Sequence, residues 1–191
     1  METHVAYLTL QRTVGCVALL ALASACAGDR AGSPLPEELH GLELIEQQSG
    51  EEAARALARL HEQDVAPTAS FIGRYGTEEI GATIYVSRFA SPEEAQSPLV
   101  SMADGIGEGA AGYGHHRTLE VDGREVHSVF GRGEVHFFYV DGSDLTWLGA
   151  HPMFANLALA DLLGVSPDSI PSLMPAMPPV PAVSEESKGS G

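Results

Sequence analysis

Three short glycine-containing steps constrain this chain more than any other feature. Asp122-Gly123, Arg132-Gly133 and Asp141-Gly142 each stand between runs in which apolar and polar residues alternate. A two-residue type I′ hairpin turn needs positive φ at both central positions, a requirement that Asp-Gly meets cheaply. Residues Tyr113 to Ala150 are therefore expected to form four antiparallel strands joined by tight turns. Two-residue loops would set Val121 opposite Arg124, Gly131 opposite Glu134 and Val140 opposite Ser143.

That register sorts side chains, because neighbours on a strand point to opposite faces. One face collects Leu119, Val121, Val126, Phe130, Val135, Phe137, Tyr139 and Leu148, a core face that helices must cover. The other collects His116, Thr118, Glu120, Glu125, His127, Val129, His136, Phe138 and Trp147. His127 and His136 are diagonal neighbours on it. They are the candidate metal ligands, with Glu125 or Glu120 as a third. Imidazole with carboxylate suits Zn²⁺, Cu²⁺ or Ni²⁺. The competing reading is a solvated sheet face whose aromatic pairs stabilise it without any ligand. Trp147 reads as core under the last helix; the alternative is an exposed groove, containing Phe138 and Trp147, that binds a partner or an apolar ligand.

The remaining elements follow from caps and periodicity. Ser49-Gly50-Glu51-Glu52 and Ser91-Pro92-Glu93-Glu94 have capping-box spacing. Ala53, Leu57 and Leu60 line one helix; Ala95, Leu99, Met102, Ala103 and Ile106 line the next, in which Pro98 should kink or restart the helix. Residues 41–47, ASFIGRY and IGATIYVSRF read as extended. The run MFANLALADLL, closed by Gly164, is the final helix. Gly107, Gly109 and Gly112 match a dinucleotide-loop spacing, but a helix precedes and a strand follows, the reverse of what that loop requires. The fold class is α+β: a mostly antiparallel sheet with a C-terminal meander and helices packed on one face.

Both cysteines, Cys16 and Cys26, fall in the first 26 residues, so the body of the chain has no internal disulfide and no thiolate site. The apolar run from Val14 to Ala25 is about a dozen residues long, whereas a membrane span needs about 20. With Arg12 before it, the run fits the apolar region of a secretion signal. It ends Ala23-Ser24-Ala25-Cys26. Small residues followed by a cysteine resemble the lipobox of bacterial lipoproteins. The resemblance covers residues 1–26 and implies cleavage before Cys26, acylation of its thiol, and a membrane as partner through that lipid anchor. Ala27 after the cysteine, rather than Asp, favours the outer membrane of a Gram-negative envelope by the same resemblance. An ordinary secretory signal cut near Ala25, or a short buried helix, is the other reading.

The expected organisation is a signal peptide over 1–25, a lipid-anchored tether over 26–36, one domain over 37–170 and a Pro/Ser-rich disordered tail over 171–191. Lys and Arg number 10 against 26 Asp and Glu, a net charge of −16. A field of that sign repels nucleic acid. No nucleophile elbow, phosphate loop or zinc-helix motif occurs. The expectation is thus a cell-envelope lipoprotein with a small non-catalytic binding or accessory domain and no cofactor; the alternative is a metal-binding protein or metal-dependent enzyme using His127 and His136.

Overall fold

A computed structural model of the chain describes residues 32–58, 66–77, 79–107 and 112–173. From Pro34 onward these belong to one compact unit. The order of elements is β1 (Glu38–Leu39), β2 (Leu42–Ser49), α1 (Gly50–Ala58), β3 (Ala69–Gly76), β4 (Gly81–Arg88), α2 (Pro92–Gly107), β5 (Gly114–Val121), β6 (Arg124–Gly131), β7 (Glu134–Asp141), β8 (Asp144–Ala150) and α3 (Ala155–Leu163), followed by a 3₁₀ turn at Pro167–Ser169. The class is α+β, as the alternation and the caps predict.

All eight strands join one sheet in the order β1-β2-β3-β4-β8-β7-β6-β5. Every neighbouring pair is antiparallel. After β4 the chain crosses through α2 to the far edge, then folds back inward until β8 pairs with β4. The closing pair is thereby made between strands more than fifty residues apart, such as Tyr85 and Trp147. α2 begins as its cap predicts: the Glu94 amide donates to Ser91 Oγ (3.2 Å) and Glu94 Oε2 accepts from the Ala90 amide (3.3 Å). It runs on through Pro98. A proline forfeits its own amide bond, and here that loss does not end the helix.

Helix placement corrects the sequence reading. α3 lies on the expected core face, where Ala155, Ala158, Leu159 and Leu163 pack with Leu119, Val121, Val126, Val135, Phe137, Tyr139 and Leu148. α1 and α2 lie on the opposite face. Ala95 and Leu99 of α2 cover Val129, Phe138 and Leu145; Ala53 and Leu57 of α1 cover Ile72, with Tyr85 alongside. The face that reads as polar on β5 is apolar on β7 and β8, and each helix has a stripe of its own to bury. The sheet is therefore sandwiched, and its central strands are buried on both sides.

The first two meander turns keep the expected register, with Val121 opposite Arg124 and Gly131 opposite Glu134. The third does not. Asp141 pairs with Asp144 and Val140 with Leu145, so the loop is Gly142-Ser143. Positive φ falls on Gly142 (58°) and on neither Asp141 nor Ser143, the pattern of a type II′ turn, which asks for glycine at its first central position only. The slip is two residues, so every side chain keeps its face but changes its partner. Trp147 consequently stands opposite Phe138, not His136.

The folded body also runs past both expected limits. Leu35 is in the core, and the Tyr75 hydroxyl donates to the Pro36 carbonyl at 2.9 Å. At the other end Arg117 donates to the carbonyls of Ser172 and Leu173. The expected signal peptide, Cys26 and most of the expected tail lie outside the described residues.

Leu159 is fully buried between α3 and the sheet, whereas Ile80 is 52% exposed at a hairpin end. Leu159→Ala should cost about 2–5 kcal/mol in a denaturant titration, because it leaves a cavity. Ile80→Ala should stay within about 0.5 kcal/mol.

Candidate functional site

On the α1/α2 face an aromatic row crosses the sheet. His127 pairs with Phe138, Phe138 with Trp147, and Trp147 with Tyr85, each directly across one strand gap. His127 stacks on Phe138 with ring centroids 4.8 Å apart and Phe138 on Trp147 at 4.9 Å, their planes within 14° and 11° of parallel. Such cross-strand pairs stabilise a sheet and also align their polar tips.

The Trp147 indole, displaced by the register of the third turn, donates from Nε1 to His136 Nδ1 at 3.1 Å. An indole N–H can only donate, so Nδ1 must be the accepting nitrogen and the proton of the neutral ring sits on Nε2. From there it is donated to the Gly131 carbonyl at 3.2 Å. His136 is therefore neutral, with both nitrogens satisfied. Burial holds its pKa below the ordinary histidine value, and the positive charge of Arg132 acts in the same direction; the Gly131 carbonyl and Glu134 oppose them but do not prevail.

Two glycines make room for this arrangement. Gly149 lies opposite His136, and a Cβ there would come within 2.9 Å of His136 Nδ1 and 3.1 Å of Glu134 Oε2. The imidazole and the carboxylate occupy the space that a side chain would otherwise take. At Gly131 a Cβ would overlap the Tyr113 ring. Tyr113 can thus lie against the strand and turn its ring edgewise to His136 (5.0 Å, 81°) and Trp147 (5.5 Å, 62°).

Above this floor is a cleft of about 290 Å³, walled by Leu57 of α1 and by Met102 and Ile106 of α2 and floored by Tyr85, Trp147, His136 and Gly149, with Tyr113, Arg132 and Glu134 also lining it. The Tyr85 hydroxyl has its pKa raised, first by burial and then by the charge of Glu134, so it remains a protonated donor at neutral pH. Arg132 stands over the Tyr113 ring at 5.8 Å. The other ion-pairing arginines have carboxylate partners: Arg74 with Glu46, Arg88 with Asp144, and Arg124 with Asp122 and Asp141. Among the described residues no carboxylate pairs with Arg132.

The second histidine cluster is separate. His116 Nε2 is 3.0 Å from His127 Nδ1, Thr118 Oγ1 is 3.4 Å from the same atom, and Glu125 Oε1 is 3.3 Å from His127 Nε2. These contacts form a relay: Glu125 accepts from His127 Nε2, and His127 Nδ1 accepts from His116 Nε2. Burial again lowers the pKa of His127, partly offset by Glu125.

The ring nitrogens of His127 and His136, expected to converge on an ion, thus engage different partners. Glu120 sits opposite Glu125 across the β5–β6 ladder. Among the described residues no group of three or more His, Cys, Asp and Glu side chains is placed to hold a metal ion. The cleft residues Tyr85, Tyr113, Arg132, Glu134 and Gly149 are not singled out by the sequence. One signal was available: arginine occupies the first central position of a type I′ turn, at φ 56°, where Asn, Asp or Gly is ordinary.

No protein-family model matches the chain, and no curated protein or solved structure matches it either. No helix among the described residues is long and apolar enough to cross a membrane.

Both buried histidines have folded pKa values below the unfolded value of about 6.5. Above that pH both states are neutral at these rings and the histidines add no slope. Below it the unfolded chain takes up protons that the folded one refuses, so stability falls as pH drops. The melting temperature should therefore decline between about pH 6.5 and 5, and less steeply in a His127→Gln, His136→Gln variant. Equal slopes in scanning calorimetry would refute this assignment.

Proposed function

We propose that this protein is a cell-envelope lipoprotein, acylated at Cys26, whose α+β domain is a non-catalytic binding module with its ligand site in the cleft between α1, α2 and the sheet. The anchor is supported by the Ala23-Ser24-Ala25-Cys26 box after its apolar run. Several acyl chains on one cysteine hold a protein on a membrane far more firmly than a single chain, which binds only marginally. The binding reading is carried by the cleft: a concave site with aromatic and aliphatic walls and a few polar groups aimed into it is the usual form of a small-molecule site.

A metal-dependent role for His127 and His136 would require Trp147 and His116 to give up their hydrogen bonds to these rings. Those bonds therefore favour the metal-free reading.

Metabolic labelling with a fatty acid should mark the wild-type protein and leave Cys26→Ala unlabelled, with the variant lost from the membrane fraction or retained as precursor. Unchanged membrane retention and processing in Cys26→Ala would refute the anchor.

A further inference from the structure

The rim of the cleft carries two opposite charges that do not neutralise each other. Arg132 has no carboxylate partner among the described residues, in a chain with 26 acidic residues against 10 basic ones. It also occupies a backbone conformation (φ 56°) that is strained for an L side chain and that glycine would adopt freely. Backbone strain of this kind is concentrated at ligand-binding sites. Glu134 lies two residues along the same turn. Its nearest basic group is His136 Nε2 at 3.7 Å, but that ring is held neutral by the indole proton on its other nitrogen. No ion pair therefore joins the carboxylate to the guanidinium or to a charged imidazole.

A guest carrying only a cation would meet the field of Arg132, and one carrying only an anion would meet Glu134. A guest with both charges close together satisfies both. Guanidinium is suited to a carboxylate, which it grips by two parallel hydrogen bonds, and Glu134 is suited to an ammonium. Beyond the rim the walls are Trp147, Tyr85, Met102, Ile106 and Leu57, an apolar and aromatic enclosure. Its volume of about 290 Å³ lies at the small end of ligand sites, below the range of drug-sized compounds.

We propose that the cleft takes a free α-amino acid with a large apolar or aromatic side chain, its carboxylate on Arg132, its ammonium on Glu134 and its side chain against Trp147 and Tyr85. This inference rests on the reading of the cleft as a ligand site and adds the class of ligand.

Trp147 is the only tryptophan in the chain, so its fluorescence reports occupancy of the cleft directly. The purified full chain in detergent would be titrated with phenylalanine, with 3-phenylpropanoate (which lacks the ammonium), with 2-phenylethylamine (which lacks the carboxylate) and with neutral benzyl alcohol. Phenylalanine should bind about tenfold or more tightly than either singly charged analogue. Arg132→Gly should weaken phenylalanine and 3-phenylpropanoate by a similar factor and spare 2-phenylethylamine, without lowering the melting temperature, because glycine relieves the turn. Glu134→Gln should weaken phenylalanine and leave 3-phenylpropanoate bound at least as well.

If either singly charged analogue equals phenylalanine, or if Arg132→Gly leaves all affinities unchanged, the amino-acid assignment is overturned while the cleft stands as a site. If no probe, benzyl alcohol included, moves the Trp147 emission at millimolar concentration, both the assignment and the ligand cleft itself are overturned.

Discussion

The pairing of Trp147 with Phe138 is the contact from which the rest of the α1/α2 face follows. It is fixed by the type II′ turn at Gly142-Ser143, which sets β8 against β7. With Trp147 there, its ring stacks on Phe138 and its indole proton reaches diagonally to His136. That bond selects the His136 tautomer, turns the other nitrogen toward the Gly131 carbonyl and leaves Glu134 without a cation to neutralise it. One backbone turn thus propagates through stacking and hydrogen bonding into the charge pattern of the cleft, reaching Glu134 on the neighbouring strand.

Burial of the sheet on both faces explains why this cluster can be polar and still ordered. An exposed imidazole would exchange its partners with water. Within the sheet face, His127 and His136 are 7% and 4% exposed, and an unsatisfied ring nitrogen there would carry a full desolvation cost of about 1–3 kcal/mol. Each nitrogen of both rings therefore has a partner within 3.3 Å. The same requirement separates the two histidines: the partners that satisfy them, the indole and a carbonyl for one, an imidazole and a carboxylate for the other, pull the two rings into different networks. Two rings on one sheet face need not share an ion.

The glycines show how close packing and an open site coexist. Gly131 and Gly149 flank His136 on neighbouring strands, and at each the missing side chain is replaced by an aromatic or imidazole ring lying on the backbone. The floor of the cleft is made dense by rings borrowed from adjacent strands, while the space above it stays open between α1 and α2.

Much of this was legible in the sequence. Alternation and turn chemistry located all four meander strands and sorted their side chains into two faces that the structure keeps, because the period of two is indifferent to a slip of two residues; the helix over Trp147 was misread, since Trp147 lies on the α1/α2 face and not under α3. The capping boxes and apolar stripes located the helices. The sequence alone also determined the acidic charge and the apolar run ending at Cys26 on which the proposed envelope placement rests. Partner identity across β7 and β8 was not legible, since Asp141-Gly142 and Gly142-Ser143 are both acceptable turns and only the closure of β8 against β4 decides between them. Nor was the side on which each helix lies, because an amphipathic stripe specifies that it is buried but not against which face. The cleft belongs to tertiary structure alone: Tyr85, Tyr113, Arg132 and Trp147 come from separate strands, a turn and a loop, and no local pattern links residues that meet only when the sheet has closed.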